Sequence, residues 1–157
     1  MKRRKRTSKA VPAKGRLRDM ADQLWALAIK DDWDNRCAVC DRSDGLNSHH
    51  LIPRQHEQTR YDMRNGICLC CNHHQFCPDV SPHQNAGGFL LWLETNEHER
   101  FRWLMHTLES GAHKGFSGTK NAEHYCSKID SLVEYVSEED YERILGVRFA
   151  AWLAEWE

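Results

Sequence analysis

Cysteine spacing constrains this chain more than any other feature. Cys37-Ala-Val-Cys40 forms one x-x knuckle and Cys70-x-x-His73 forms another. A knuckle offers two ligands from one tight turn, so a pair of knuckles can close a tetrahedral zinc site. Such a site takes four ligands and no more. The same stretch also holds His49, His50, Asn65 and His74, which a structural zinc does not need. Cys68-x-x-Cys71 has knuckle spacing as well, so spacing alone leaves two registers for the second pair. The plain alternative is a set of buried cysteines without metal.

The seven cysteines are odd in number and clustered, which points to metal and a reducing compartment rather than a disulfide framework. A cytoplasmic setting follows as an expectation. No apolar run is long enough to span a membrane, and no apolar signal core follows the basic start, so no membrane partner is expected. At 157 residues the chain suffices for one domain with a sizeable core, or for a small core with helical additions. The net charge of −1 conceals an asymmetry: residues 1–19 carry nine basic side chains against Asp19, an excess of +8, and the remainder stands at −9. Few apolar residues and the breakers Pro12 and Gly15 make residues 1–15 an expected disordered basic arm. Lys2, Arg3, Arg4, Lys5 and Arg6 suit a sequence-blind phosphate clamp, or else a solubilising or targeting tail.

The order His49-His50, Asn65 and then Cys-x-x-His73-His74 resembles the HNH endonucleases. The resemblance covers roughly a quarter of the chain. It implies a ββα-metal core in which a metal-binding residue directly precedes a histidine base. An asparagine follows, and a last histidine sits just after a zinc knuckle. It also selects the register: Cys37, Cys40, Cys70 and His73 would hold a structural zinc, leaving Cys68, Cys71, Cys77 and Cys126 as buried thiols. The implied activity is metal-dependent hydrolysis of DNA phosphodiesters. Size, arm and a tryptophan-bearing helix before the first knuckle resemble phage-encoded members, for which the cytoplasm would be that of a bacterial host. Two rival readings are a catalytically inactive zinc-dependent DNA-binding module and an interaction subunit of a phage nucleoprotein complex.

The chemistry divides the surplus groups. Neighbouring side chains on a strand face opposite ways, so His49 and His50 should not share one metal. His49 is assigned to a catalytic divalent ion (Mg2+, Mn2+, Ni2+ or Zn2+) and His50 to the base that takes a proton from water. His74 would be the second protein ligand, and Asn65 would orient His50 or lean toward the metal. Arg54, Arg60 and Arg64 lie where a substrate backbone would pass, and a guanidinium fork suits phosphate. Arg54, nearest His50 in sequence, is the preferred contact, with surface ion pairs to Glu57 or Asp62 as the alternative for any of the three. His83, within Ser-Pro-His, can touch metal or phosphate but is read as an exposed loop histidine.

The expected fold class is α+β: a small zinc-supported ββα-metal core with an amino-terminal helix and a helical carboxy-terminal extension. Leu17, Met20, Leu24, Leu27 and Ala28 predict an amphipathic helix over 16–31, with Trp25 and Trp33 packing it on the core. Strands are expected over 46–52 and 66–69, and a helix from about Cys71 to before Pro78. The core with its flanking helices would occupy 16–95 and the extension 96–157. Asn96 with Glu99 suggests a capping box, and Ser137 with Asp140 another helix start that leads to Trp156. The extension is open to wrapping the core, forming a homodimer, or binding other phage or host nucleic-acid-processing proteins.

Overall fold

The computed structural model describes residues 11–155. Lys2, Arg3, Arg4, Lys5, Arg6 and Trp156 lie outside them. Helix α1 spans Lys14–Asp32. Its buried residues Leu17, Met20, Ala21, Leu24, Trp25, Ala28 and Ile29 follow the three-to-four-residue spacing of one helix face. The helix stops where Asp34 and Asn35 take left-handed backbone angles (φ 50 and 54), which aspartate and asparagine tolerate. There the Asn35 amide donates to the Lys30 carbonyl at 2.8 Å, and the chain turns into the first knuckle.

The described residues form two compact units, one of residues 25–118 and the other of residues up to Leu24 together with those from Thr119 onward. In the first, β1 (Leu46–His50) and β2 (Gly66–Cys70) make an antiparallel hairpin, registered from Leu46 opposite Cys70 to His50 opposite Gly66. Strand β1 ends two residues before the expected Ile52. After β2 comes a single π-turn, Asn72–Phe76, in place of a regular α-helix. Helices α2 (Ala86–Asn96) and α3 (His98–Glu109) close the unit. Ile52, Ile67, Leu69, Phe89, Leu93 and Leu104 form its apolar core, against which Trp33 packs.

Leu104 places α3 in the core, although the sequence suggested that the extension begins at residue 96. Arg100 of α3 explains the attachment. Its guanidinium donates to the carbonyls of Met63, Arg64 and Gly66, pairs with Asp32 at 3.2 Å and lies over the Trp33 ring. The Asn96 capping box is not formed: the Asn96 side chain donates to the Trp92 carbonyl, and α3 begins without a side-chain cap.

In the other unit, α4 (Ala122–Leu132) buries Tyr125, Cys126, Ile129 and Leu132. Ser137 caps α5 (Glu138–Leu145) by accepting from the Asp140 amide. Gly146, at φ 77, breaks what the sequence suggested as one helix, and α6 (Val147–Ala154) follows. No helix among the described residues is long and apolar enough to cross a membrane.

The hairpin leans on α1 at Gly66. A Cβ there would come within 2.1 Å of Ile29 Cδ1 and 2.9 Å of Trp25 Cζ2. Gly66→Ala is therefore expected to cost about 2–3 kcal/mol, as overpacking of a filled core does. Urea unfolding, followed by tryptophan fluorescence, measures the loss.

Candidate metal centre and histidine site

The first knuckle is tied to the hairpin by backbone: the Ala38 amide donates to the Cys68 carbonyl at 2.9 Å. Asp41, at φ 61, turns the chain back so that the Cys37 amide reaches the Arg42 carbonyl at 2.8 Å. The Cys37, Cys40, Cys70 and His73 donor atoms consequently lie within 4.8 Å of one another. Cys40 Sγ is 3.8 Å from Cys70 Sγ, and His73 Nδ1 is 3.3 Å from Cys70 Sγ and 3.7 Å from Cys37 Sγ. Zinc bond lengths make the edges of a tetrahedral site about 3.8 Å between sulfurs and about 3.6 Å between sulfur and nitrogen. The donor set thus fits zinc in both chemistry and spacing. It is a Cys3His group that can hold a structural zinc.

Electrostatics agree with that fit. Cys40 is pushed up to about 11, by desolvation first and also by the adjacent Cys37 and Cys70 thiols. Burial raises Cys37 too, but hydrogen bonds from the Cys70, Cys40 and Val39 backbones outweigh it and hold this thiol below its ordinary value. His73 is lowered by burial and then by Arg42, which keeps its ring neutral. Crowded thiols resist losing several protons together, and a bound cation removes that resistance.

A second group lies apart from the first. His49, His74 and His83 bring their ring nitrogens within 4.8 Å of one another. Their ring centroids are 5.2 Å apart for His49–His74, 5.3 Å for His49–His83 and 4.8 Å for His74–His83. His74 Nδ1 is buried without a hydrogen-bond partner, an orphan that a metal bond would satisfy. His49 is pushed down to about 3, by burial first and then by His74, His83 and His50. Burial and His83 lower His74 as well. Neutral imidazoles keep the lone pairs that a metal needs.

His50 looks elsewhere, as strand alternation requires. Its ring stacks on Trp25 at 3.7 Å and 11°, and its Nε2 lies 2.9 Å from the Arg60 carbonyl. A carbonyl only accepts, so Nε2 carries the hydrogen, and it is Nδ1 that bears the lone pair whenever the ring is neutral. Asn65 neither orients His50 directly nor faces the histidine group. It is fully buried: its Oδ1 accepts from the Ile52 amide, and its Nδ2 donates to the carbonyls of Ile52 and Thr59. It fastens the loop whose next residue, Arg60, holds His50.

The loop arginines differ from one another. Arg64 is gripped by both carboxylate oxygens of Asp62, at 3.0 and 2.7 Å, and lies over Trp103, so the ion-pair alternative describes it. Arg60 donates to the Arg54 carbonyl, while the Arg54 side chain is exposed. His83 is an exposed loop residue, as the sequence suggested, yet it also joins the histidine group. Trp25, the cover of His50, carries no mark in the sequence, because its place above the ring is set by the contact between α1 and the hairpin.

Cys70→Ser is expected to release about one zinc per chain and abolish cooperative unfolding, since such sites store folding free energy in their ligands. Elemental analysis and circular dichroism test this. His49 gives a pH signature. Its folded value near 3 lies below the ordinary 6.5, so in that window the unfolded chain binds a proton that the folded chain does not. Its contribution to stability is complete above 6.5 and is lost progressively as pH falls toward 3. In protein loaded only at the Cys3His group, the His49 ring signals in NMR should stay unchanged from pH 8 to pH 5.

No curated protein and no solved structure matches the chain. The stretch from the first knuckle to the end of the π-turn carries both knuckles, His49, His50, Asn65 and His74, and leaves His83 outside. These residues, 37–76, match the family described as HNH endonuclease.

Proposed function

We propose that the chain is a metal-dependent DNA endonuclease working through His50 and the His49–His74–His83 group. The family match suggests a nuclease or DNA-binding role with metal binding. The observation that carries the finer reading is the division of histidines along β1. His49 faces the cluster of imidazoles, while His50 is held apart, stacked on Trp25 and with Nε2 fixed by the Arg60 carbonyl. A non-catalytic DNA-binding module has no use for that arrangement.

In this mechanism His50 Nδ1 takes the proton of the attacking water, while Trp25 and the Arg60 carbonyl hold the ring in one plane and one tautomer. Asn65 keeps the Arg60 segment in place through the Thr59 and Ile52 backbone. A divalent cation held by His49, His74 and His83 would supply charge neutralisation at the scissile phosphate and the departing 3′-oxygen. Arg54 is placed to meet a neighbouring phosphate, and the basic residues of the amino-terminal arm would add salt-sensitive affinity. Among the described residues the histidine group contains no carboxylate. Imidazole suits zinc, nickel and their neighbours, whereas magnesium prefers oxygen ligands.

Plasmid nicking across a metal series, with EDTA as control, tests the reading. Nickel or zinc should support nicking at lower concentration than magnesium. His50→Ala should lose roughly a hundredfold or more in rate, as removal of a positioned general base does, with metal content and unfolding unchanged. His49→Ala and His74→Ala should lose activity through weaker metal binding, and excess metal should partly restore them. DNA binding without nicking under every metal would favour the inactive module instead.

A further inference from the structure

The three imidazoles come from different places: His49 from β1, His74 from the π-turn, and His83 from the loop before α2. His83 is the exposed member, and an exposed side chain on an unsupported loop loses conformational freedom when it binds a ligand. Ser81 lies between the second and third histidines. It is fully buried. Its hydroxyl donates to the His74 carbonyl at 3.0 Å and accepts from the amides of His83 and Gln84 at 3.3 and 3.2 Å. One oxygen therefore links the backbones of two candidate ligands.

The surrounding loop is braced around this hydroxyl. The Asn85 amide donates to the Ser81 carbonyl at 2.8 Å. Asn85 Nδ2 donates to the Pro78 and Asp79 carbonyls, and its Oδ1 caps α2 by accepting from the Gly88 amide at 2.9 Å. Gly88 packs so closely that a Cβ there would lie 2.2 Å from the Asp79 carbonyl oxygen. The loop ends are thus fixed by Asn85 and Gly88, and the His74–His83 link is left to Ser81.

We propose that Ser81 is a positioning residue for the metal group, presetting His83 against His74 so that the three imidazoles can share one cation. The proposal rests on reading His49, His74 and His83 as metal ligands. It makes the Ser-Pro-His segment a working part of the site although it lies beyond residues 37–76. Ser81 touches neither substrate nor metal in this scheme, and its effect passes through the backbone of His83.

The test uses the full chain holding zinc at the Cys3His group, with nickel titrated in by calorimetry. Ser81→Ala should weaken nickel binding about tenfold to a hundredfold, the usual effect of removing a group that orients a ligand. Ser81→Thr keeps the hydroxyl and should bind nickel more tightly than Ser81→Ala. In a His83→Ala background, Ser81→Ala should add little, because the residue it positions is already gone. Unchanged binding by Ser81→Ala overturns the proposal, as does equal weakness of Ser81→Thr. An equal loss with and without His83, or loss of the Cys3His zinc in Ser81→Ala, would assign Ser81 to general support of the fold and overturn it too. Failure of the underlying reading looks different: the wild-type chain would take up no second metal, or His49→Ala and His83→Ala would bind it undiminished.

Discussion

Cys37 and Cys40 meet Cys70 and His73 across a loop that contains the whole of β1 and the segment after it. Those four donors gather the first knuckle, the end of β2 and the start of the π-turn into one place. The hairpin has only five residues in each strand, and an isolated two-stranded hairpin is marginal in water. The remaining support comes from the Ala38–Cys68 backbone bond, the contact of Ser48 with the Ala26 carbonyl, and the apolar packing around Ile67 and Leu69. A cation in the Cys3His group would therefore fix both the hairpin register and the direction in which His74 leaves the turn.

That register decides where each imidazole points. With His49 opposite Ile67 and His50 opposite Gly66, the strand turns one imidazole toward His74, His83 and Phe89 and the next toward Trp25. A slip of one residue would exchange the two faces. The missing side chain at Gly66 admits Ile29 and Trp25 beside the hairpin, and Trp25 in turn covers His50. A backbone requirement and a functional placement thus meet at one glycine.

The knuckles, the hairpin and the turning of His49 and His50 to opposite faces of β1 were legible because each rests on local spacing that the chain displays openly. The role of Asn65 was not, because its partners are backbone groups of Ile52 and Thr59, and backbone groups leave no mark in sequence. Arg64 looked available for phosphate until Asp62, two residues away, took both sides of its fork. The attachment of α3 rests on Arg100, whose ties to Met63, Arg64 and Gly66 span more than thirty residues, a distance over which periodicity carries no signal. The approach of His83 to His49 and His74 is hidden in the same way. Exposure is a property of one residue, whereas a ligand group is a property of three distant segments.

Asn65 has a consequence for how such a site can diversify. Its amide bridges Ile52 and Thr59, closing the mouth of the segment between them as a clasp closes a purse. Pro53, Arg54 and Gln55 at the outer part of that segment are exposed. The tip is nevertheless tied to the anchor of His50, because the Arg60 guanidinium donates to the Arg54 carbonyl while the Arg60 carbonyl meets His50 Nε2. A shift of the tip backbone would therefore reach the histidine, whereas exchange of the exposed side chains alone would not. The segment is open to drift in its side chains and closed to drift in its backbone.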